Sequence, residues 1–241
     1  LEFPILNEKA NKLDIKNPTE LKALYKLVSE IDEEVTNLVY KIIAAGKIPI
    51  IVGGGHNNAY GNIKGLALAL NKAINVINFD AHTDFRTLEG RHSGNGFSYA
   101  FHEGFLNKYF IFGIHENYTS KKVLEELSAH NNHINYNTFE AINIRQETSF
   151  KEEMKYALNF IKNDFFGLEI DLDAIQNIAS SALTPSGFSV NETRQFVSFM
   201  GKHKKASYLH LCEAAPILDK TNPTQVGKLL SYLITDFIRA H

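Results

Sequence analysis

Asp80-Ala81-His82-Thr83-Asp84 closes an apolar run that contains Ile74, Val76, Ile77 and Phe79. It offers two carboxylates and one imidazole at alternate positions. In extended backbone, alternate side chains point to the same face, so the three would converge on one spot. Mixed oxygen and nitrogen donors suit a hard or borderline divalent cation. A polar turn after a strand is the plain alternative, but a turn has no need of three ligating groups in alternation. Two other stretches have the same character. Gly53-Gly54-Gly55-His56 follows the apolar segment 48–52, and Asp171-Leu172-Asp173 follows the apolar segment 165–170. Together they give six candidate ligands: His56, Asp80, His82, Asp84, Asp171 and Asp173. Four carboxylates and two imidazoles exceed what one ion normally needs, and they suit two cations that share bridging carboxylates. Two ions close together can lower the pKa of a water held between them and orient it as a nucleophile. Without cations, the four aspartates would repel one another.

The elements that must position these groups follow from local signals. Asn17-Pro18-Thr19-Glu20 opens a helix, with Asn17 as N-cap, Pro18 at the first position and Glu20 at the capping-box position. Leu24, Leu27, Val28, Ile31, Val35, Leu38, Val39 and Ile42 keep helical spacing until Gly46. Residues 1–16 read as irregular. Strands are expected over 48–52, 74–79, 108–114, 165–170 and 206–211, and helices over about 58–71, 120–130, 150–161 and 189–201. A long polar loop runs through Gly90, Ser93, Gly94 and Gly96, and 133–143 is ambiguous. Asn222-Pro223-Thr224-Gln225 is expected to cap a last helix whose apolar face runs from Val226 to Ile238. Short, continuously apolar strands that alternate with helices favour a mainly parallel sheet covered on both faces. In such sheets the site lies beyond the carboxyl ends of the strands. His56, Asp80, Asp171 and Glu213 each follow a strand, so four strands deliver chemistry to one edge.

Bulk properties narrow the partners. The 241 residues suffice for one large α/β domain, and residues 1–241 show no repeat or linker that would divide them. The formal net charge of −2 argues against a nucleic-acid or anionic-membrane partner. No apolar run approaches the roughly 20 residues of a membrane span. The single cysteine, Cys212, rules out an intrachain disulfide and fits a reducing, cytoplasmic compartment. Oligomeric state is left open, a homo-oligomer included.

The three metal-type motifs, Gly53-Gly54-Gly55-His56, Asn78-Phe79-Asp80-Ala81-His82-Thr83-Asp84 and Glu169-Ile170-Asp171-Leu172-Asp173, resemble in kind and order those of the ureohydrolase superfamily, whose members include arginase, agmatinase and formimidoylglutamase. The resemblance covers about residues 44–240. It implies a three-layer α/β/α sandwich and two Mn2+ ions per chain. It further implies that His56, Asp80, Asp84 and Asp171 hold one ion, and that Asp80, His82, Asp171 and Asp173 hold the other. Glu213 matches the acid that grips the amidine or guanidine group of a small-molecule substrate. Arg91-His92-Ser93-Gly94-Asn95-Gly96-Phe97 is similar to a substrate loop of the family but lacks its proline, and Ser93 stands where arginases carry a shuttle histidine. His92, one place earlier, is therefore the candidate general acid, with Ser93 and Asn95 as candidate substrate contacts. The position after His56 is Asn57, where an acid is common, and nothing before Asn17 resembles the usual N-terminal strand and helix.

The loop after the metal motif carries Arg86 and Arg91, and its Asp84-Phe85-Arg86 resembles the formimidoylglutamase branch more than the other two, as does the segment Ser180-Ser181-Ala182-Leu183-Thr184-Pro185-Ser186-Gly187. A guanidinium can hold a substrate carboxylate in bidentate fashion. The implied reaction is formiminoglutamate plus water to glutamate plus formamide. The rivals are urea release from agmatine or arginine, a single-metal amide deacetylase, and a non-catalytic binding module on the same scaffold.

Overall fold

The computed structural model describes residues 1–220, 222 and 224–241. Six strands form one sheet: β1 (Ile50–Val52), β2 (Ile74–Phe79), β3 (Leu106–Ile114), β4 (Ile134–Thr138), β5 (Phe166–Asp171) and β6 (Ala206–Cys212). Their spatial order is β1-β6-β5-β2-β3-β4, and every pair is parallel. The helices are α1 (Pro4–Ala10), α2 (Pro18–Ala44), α3 (Asn58–Leu70), α4 (Gly96–His102), α5 (Lys121–Ala129), α6 (Phe150–Ile161), α7 (Val190–Gly201) and α8 (Gln225–Ala240).

Alternation along β2 shows how the layers form. Ile77 and Phe79 enter a core built with Ala157 and Ile161 of α6, Phe196 and Met200 of α7, and Leu233 and Phe237 of α8. Ile74 and Val76 enter the opposite core with Ala59, Ile63 and Leu66 of α3 and Phe97 and Ala100 of α4. Both faces of the sheet are thus covered, which is why its central strands are mostly apolar. Helix α2 lies outside α3, and two glycines allow the close approach. A Cβ on Gly61 would meet the Val35 side chain at 2.8 Å, and one on Gly65 would meet the Thr36 carbonyl oxygen at 2.8 Å. Among the described residues, no helix is long and apolar enough to cross a membrane.

Three expectations need correction, and one ambiguous segment is resolved. Residues 4–10 are helical, started by Pro4 in the first turn, but α1 buries no residue and so carries no periodic apolar signal. Helix α4 interrupts the expected loop, because its glycine opening masks the buried Phe97 and Ala100. Segment 133–143 divides into β4, an edge strand with two asparagines, and a π turn over Glu140–Ile144. The N-cap of α8 is Thr224 rather than Asn222. Pro223 of that expected cap lies outside the described residues.

Candidate metal centre

The strand order places the carboxyl ends of β1, β6, β5 and β2 side by side. The chain leaves β1 through Gly53 and Gly54, whose φ angles of +89° and +75° suit glycine, and this turn brings His56 over the strand ends. Phe97 meets the His56 ring edge-on at 5.1 Å. His56 Nδ1 lies 2.8 Å from Asp84 Oδ2, 3.2 Å from Asp171 Oδ2 and 3.3 Å from Asp80 Oδ2. Donor atoms of these four residues all fall within 4.8 Å of one another. Asp80, His82 and Asp173 form a second such group, with His82 Nδ1 3.5 Å from both Asp80 Oδ1 and Asp173 Oδ1. Asp80 therefore faces the first group with one oxygen and the second with the other. Asp171 joins the first group alone, and its Oδ1 accepts the Asp173 backbone N–H at 2.9 Å.

The motif around Asp80 is not extended, as the sequence pattern suggests. β2 ends at Phe79, and Asp84 has φ +41°, in the left-handed region that aspartate tolerates better than most residues. This twist sends Asp84 to His56 and leaves His82 with Asp173.

The donor set fits divalent cations. His56 is buried and neither ring nitrogen has a hydrogen-bond partner, and Asp173 Oδ1 is likewise buried and unpartnered. Burial and the charge of Asp80 push Asp84 up to about 6. Burial, Asp80 and Asp173 hold Asp171 well above the carboxylate range. Bonds to Asp173 and Asp80 raise His82 to about 11. Burial opposes a charged His56 imidazole, yet Cys212 and the carboxylates of Asp171, Asp80 and Asp84 hold its value well above the ordinary one. Each shift expresses a crowd of carboxylates that calls for positive charge, which two cations would supply.

A cavity of about 490 Å³ opens above this centre, lined by Asp84, Arg86, Ser93, Tyr118, Asp173 and Glu213 among others. Glu213 is half-buried, and its backbone φ is +62°. Its Oε1 accepts the His56 backbone N–H at 2.6 Å, and its Oε2 accepts the Ser181 hydroxyl at 3.3 Å. Arg86 is 65% exposed and reaches to 3.8 Å from Glu89. His92 also lines the cavity. Its Nδ1 accepts the Gly94 N–H at 3.1 Å and its Nε2 meets Glu89 Oε1 at 3.1 Å.

Arg91 and Asn95, expected as substrate contacts, are buried and do not line this cavity. The five N–H donors of Arg91 are all used, on Asp32, Asn57, His92 and Asn95. Asn95 accepts from Arg91 and the His92 N–H and donates to the carbonyls of Thr87 and Gly90. These two residues build the loop that carries Arg86, His92 and Ser93.

Sequence reasoning missed two sets of supporting residues. Tyr118 stacks on His82 with centroids 5.2 Å apart, and on its other side His115 stacks at 5.2 Å. Beneath the ligands lie Asn78, Glu169 and His210, polar residues inside otherwise apolar strands. That pattern was a usable signal, because a buried polar side chain must find a partner.

The sequence model of the arginase family matches residues 7–236. A formimidoylglutamase of Geobacillus thermodenitrificans is 29% identical over 209 residues, which are 79% of this chain and 60% of that protein. The Fusobacterium nucleatum formimidoylglutamase is 25% identical over 252 residues, covering 99% of this chain and 76% of its own length. An Entamoeba histolytica arginase is 26% identical over 246 residues, covering 90% and 81% respectively. The chain thus spans 60% of the length of the Geobacillus relative. Among solved structures, Bacillus subtilis formimidoylglutamase superposes with TM-score 0.75 at 21% identity, covering 86% of this chain and 67% of that one. Trypanosoma cruzi formiminoglutamase, solved with Mn2+, gives TM-score 0.75 at 19% identity, covering 87% and 71%. At these identities the structures establish the shared three-layer α/β/α fold.

Proposed function

The chain belongs to the arginase family, and from that premise we propose that it is a hydrolase of a linear amidine C–N bond, converting formiminoglutamate and water to glutamate and formamide. The observation that carries this reading is the pair of donor groups sharing Asp80 at the base of one cavity. His56, Asp80, Asp84 and Asp171 would hold one Mn2+, and Asp80, His82 and Asp173 the other. Such a pair would supply a water-derived nucleophile at neutral pH and offset the negative charge of its attacking oxygen. The two carboxylate-bearing donor groups favour this over a single-metal deacetylase, and the retention of all six ligands favours it over a non-catalytic scaffold.

The protein's own groups supply the rest. Glu213 Oε2 faces the cavity partnered by the rotatable Ser181 hydroxyl, so it can accept N–H bonds from a cationic amidine and orient it. Arg86, exposed at the rim, takes a carboxylate at the substrate's far end, with Ser93 beside it. Its charge favours formiminoglutamate, with two carboxylates, over agmatine, with none. As an imidazolium, formed when Nδ1 gives up the Gly94 N–H and Nε2 parts from Glu89, His92 gives a proton to the leaving nitrogen. Residues 1–241 act as one domain in a reducing cytoplasmic setting, consistent with a free, buried Cys212. The test is a side-by-side assay of formiminoglutamate, agmatine and arginine on manganese-loaded protein, repeated with Arg86→Ala. Formamide from formiminoglutamate, with KM raised in the variant, is expected. Urea from either other compound with no formamide would overturn the substrate assignment.

A further inference from the structure

Asn78, Glu169 and His210 are all buried, and the parallel register sets Asn78 opposite Glu169 and Glu169 opposite His210. They form a row across the sheet two residues before Asp80, Asp171 and Cys212. Strand alternation keeps residues two apart on one face, so this row lies directly under the ligands. Its left end already supports a ligand: Asn78 Nδ2 donates to Asp80 Oδ2 at 2.8 Å. The middle member is held from two sides. Glu169 Oε1 accepts the Tyr208 hydroxyl at 2.7 Å and the Asn62 Nδ2–H at 3.5 Å, and Oε2 pairs with His210 Nδ1 at 2.5 Å. His210 in turn reaches the Gly53 carbonyl through Nε2 at 3.4 Å. Glu169 Oε2 also stands 3.6 Å from His56 Nε2, a buried nitrogen with no hydrogen-bond partner.

We infer that Glu169 is a positioning residue for His56. Its Oε2 is the acceptor that faces His56 Nε2, at 3.6 Å, and keeps the imidazole proton on that nitrogen, which leaves the Nδ1 lone pair toward Asp80, Asp84 and Asp171, where the first cation is proposed to sit. His210 and Tyr208 pin the carboxylate so that the imidazole keeps that orientation. Metal-ligating histidines commonly donate their second N–H to a carboxylate or carbonyl, and loss of that partner typically costs about 10–100-fold in metal affinity. The sheet register builds this support in, since the acid and its anchor sit on adjacent strands under the ligand they serve.

The inference rests on the proposed cation centre, and calorimetric titration with Mn2+ separates the two. His56→Asn identifies the binding step that depends on His56. In folded Glu169→Leu, confirmed by circular dichroism in chelator, that step should weaken by about 10–100-fold while the other stays near wild type. Glu169→Gln should recover most of the loss. Its amide oxygen can keep the place that faces His56 and His210, and its amide nitrogen can donate to the Tyr208 hydroxyl oxygen and, once the Asn62 amide turns over, to Asn62 Oδ1. Should Glu169→Leu fail to fold, His210→Gln unpins the same carboxylate and should weaken the same step. Wild-type affinity at both steps in the folded variants, or a Gln variant as weak as Leu, would overturn the role of Glu169. Absence of Mn2+ uptake by the wild type would instead overturn the cation centre and this inference with it.

Discussion

Arg91→Met should destabilise the protein rather than impair substrate binding. The Arg91 guanidinium is 5% exposed and Asp32 on α2 is 2% exposed. Nε donates to Asp32 Oδ2 at 2.8 Å and Nη2 to Asp32 Oδ1 at 3.3 Å. Nη2 also donates to the Asn57 carbonyl at 3.0 Å, and Nη1 donates to Asn95 Oδ1 at 2.5 Å and the His92 carbonyl at 3.0 Å. The group further lies over the rings of Tyr60 and Tyr99, at 5.0 and 5.3 Å from their centroids. Methionine restores the packing and none of the donors, so Asp32 is stranded without its counter-charge. Breaking a buried pair in this way costs about 3–5 kcal/mol. For a domain of this size each kcal/mol moves the melting temperature by about 2–4 °C, so a fall of roughly 6–20 °C is expected. Adding Asp32→Leu should recover much of it, since a pair removed together leaves no orphaned charge. Urea unfolding and calorimetry in chelator measure both. A single variant within about 1 kcal/mol of wild type, with a sharply raised KM for formiminoglutamate, would refute the reasoning and return Arg91 to the substrate.

Glu213→Gln should keep its acceptor for the His56 N–H and so retain metal, while weakening the grip on a cationic amidine. A hydrogen bond to a charged group contributes about 1.5–3 kcal/mol, so kcat/KM should fall roughly 10- to 150-fold. Unchanged turnover would make Glu213 structural. Asp32 gives a pH signature. Burial pushes its carboxyl up to about 6 despite Arg91, above the unfolded value, so the folded chain holds the extra proton between about pH 4 and 6. Its contribution to stability therefore falls as pH rises through that window. Asp32→Asn should remove this part of the slope in urea unfolding measured against pH, and an unaltered slope would contradict the burial argument.

The ligands were legible because each follows an apolar strand, and a parallel sheet sends strand ends to one edge. Their partition between the two groups was not. It depends on the left-handed turn at Asp84, which no spacing rule encodes. Arg91 was misread because a guanidinium next to a polar loop looks like a substrate contact, and its true partner lies 59 residues earlier on α2. β4 was hidden by its asparagines, which an edge strand accepts because it has one neighbour instead of two. Glu169 and His210 stood in plain view inside apolar strands, but their meaning required the register that sets them opposite each other.

The shared position of Asp80 between two donor groups is the centre of this account, and metal stoichiometry tests it most directly. Elemental analysis after manganese loading and desalting should approach two ions per chain in the wild type. Asp80→Ala should lose both, while Asp84→Ala and Asp173→Ala should each lose mainly one. A folded wild-type protein that binds one ion or none, or an Asp80→Ala variant that still binds two, would contradict it.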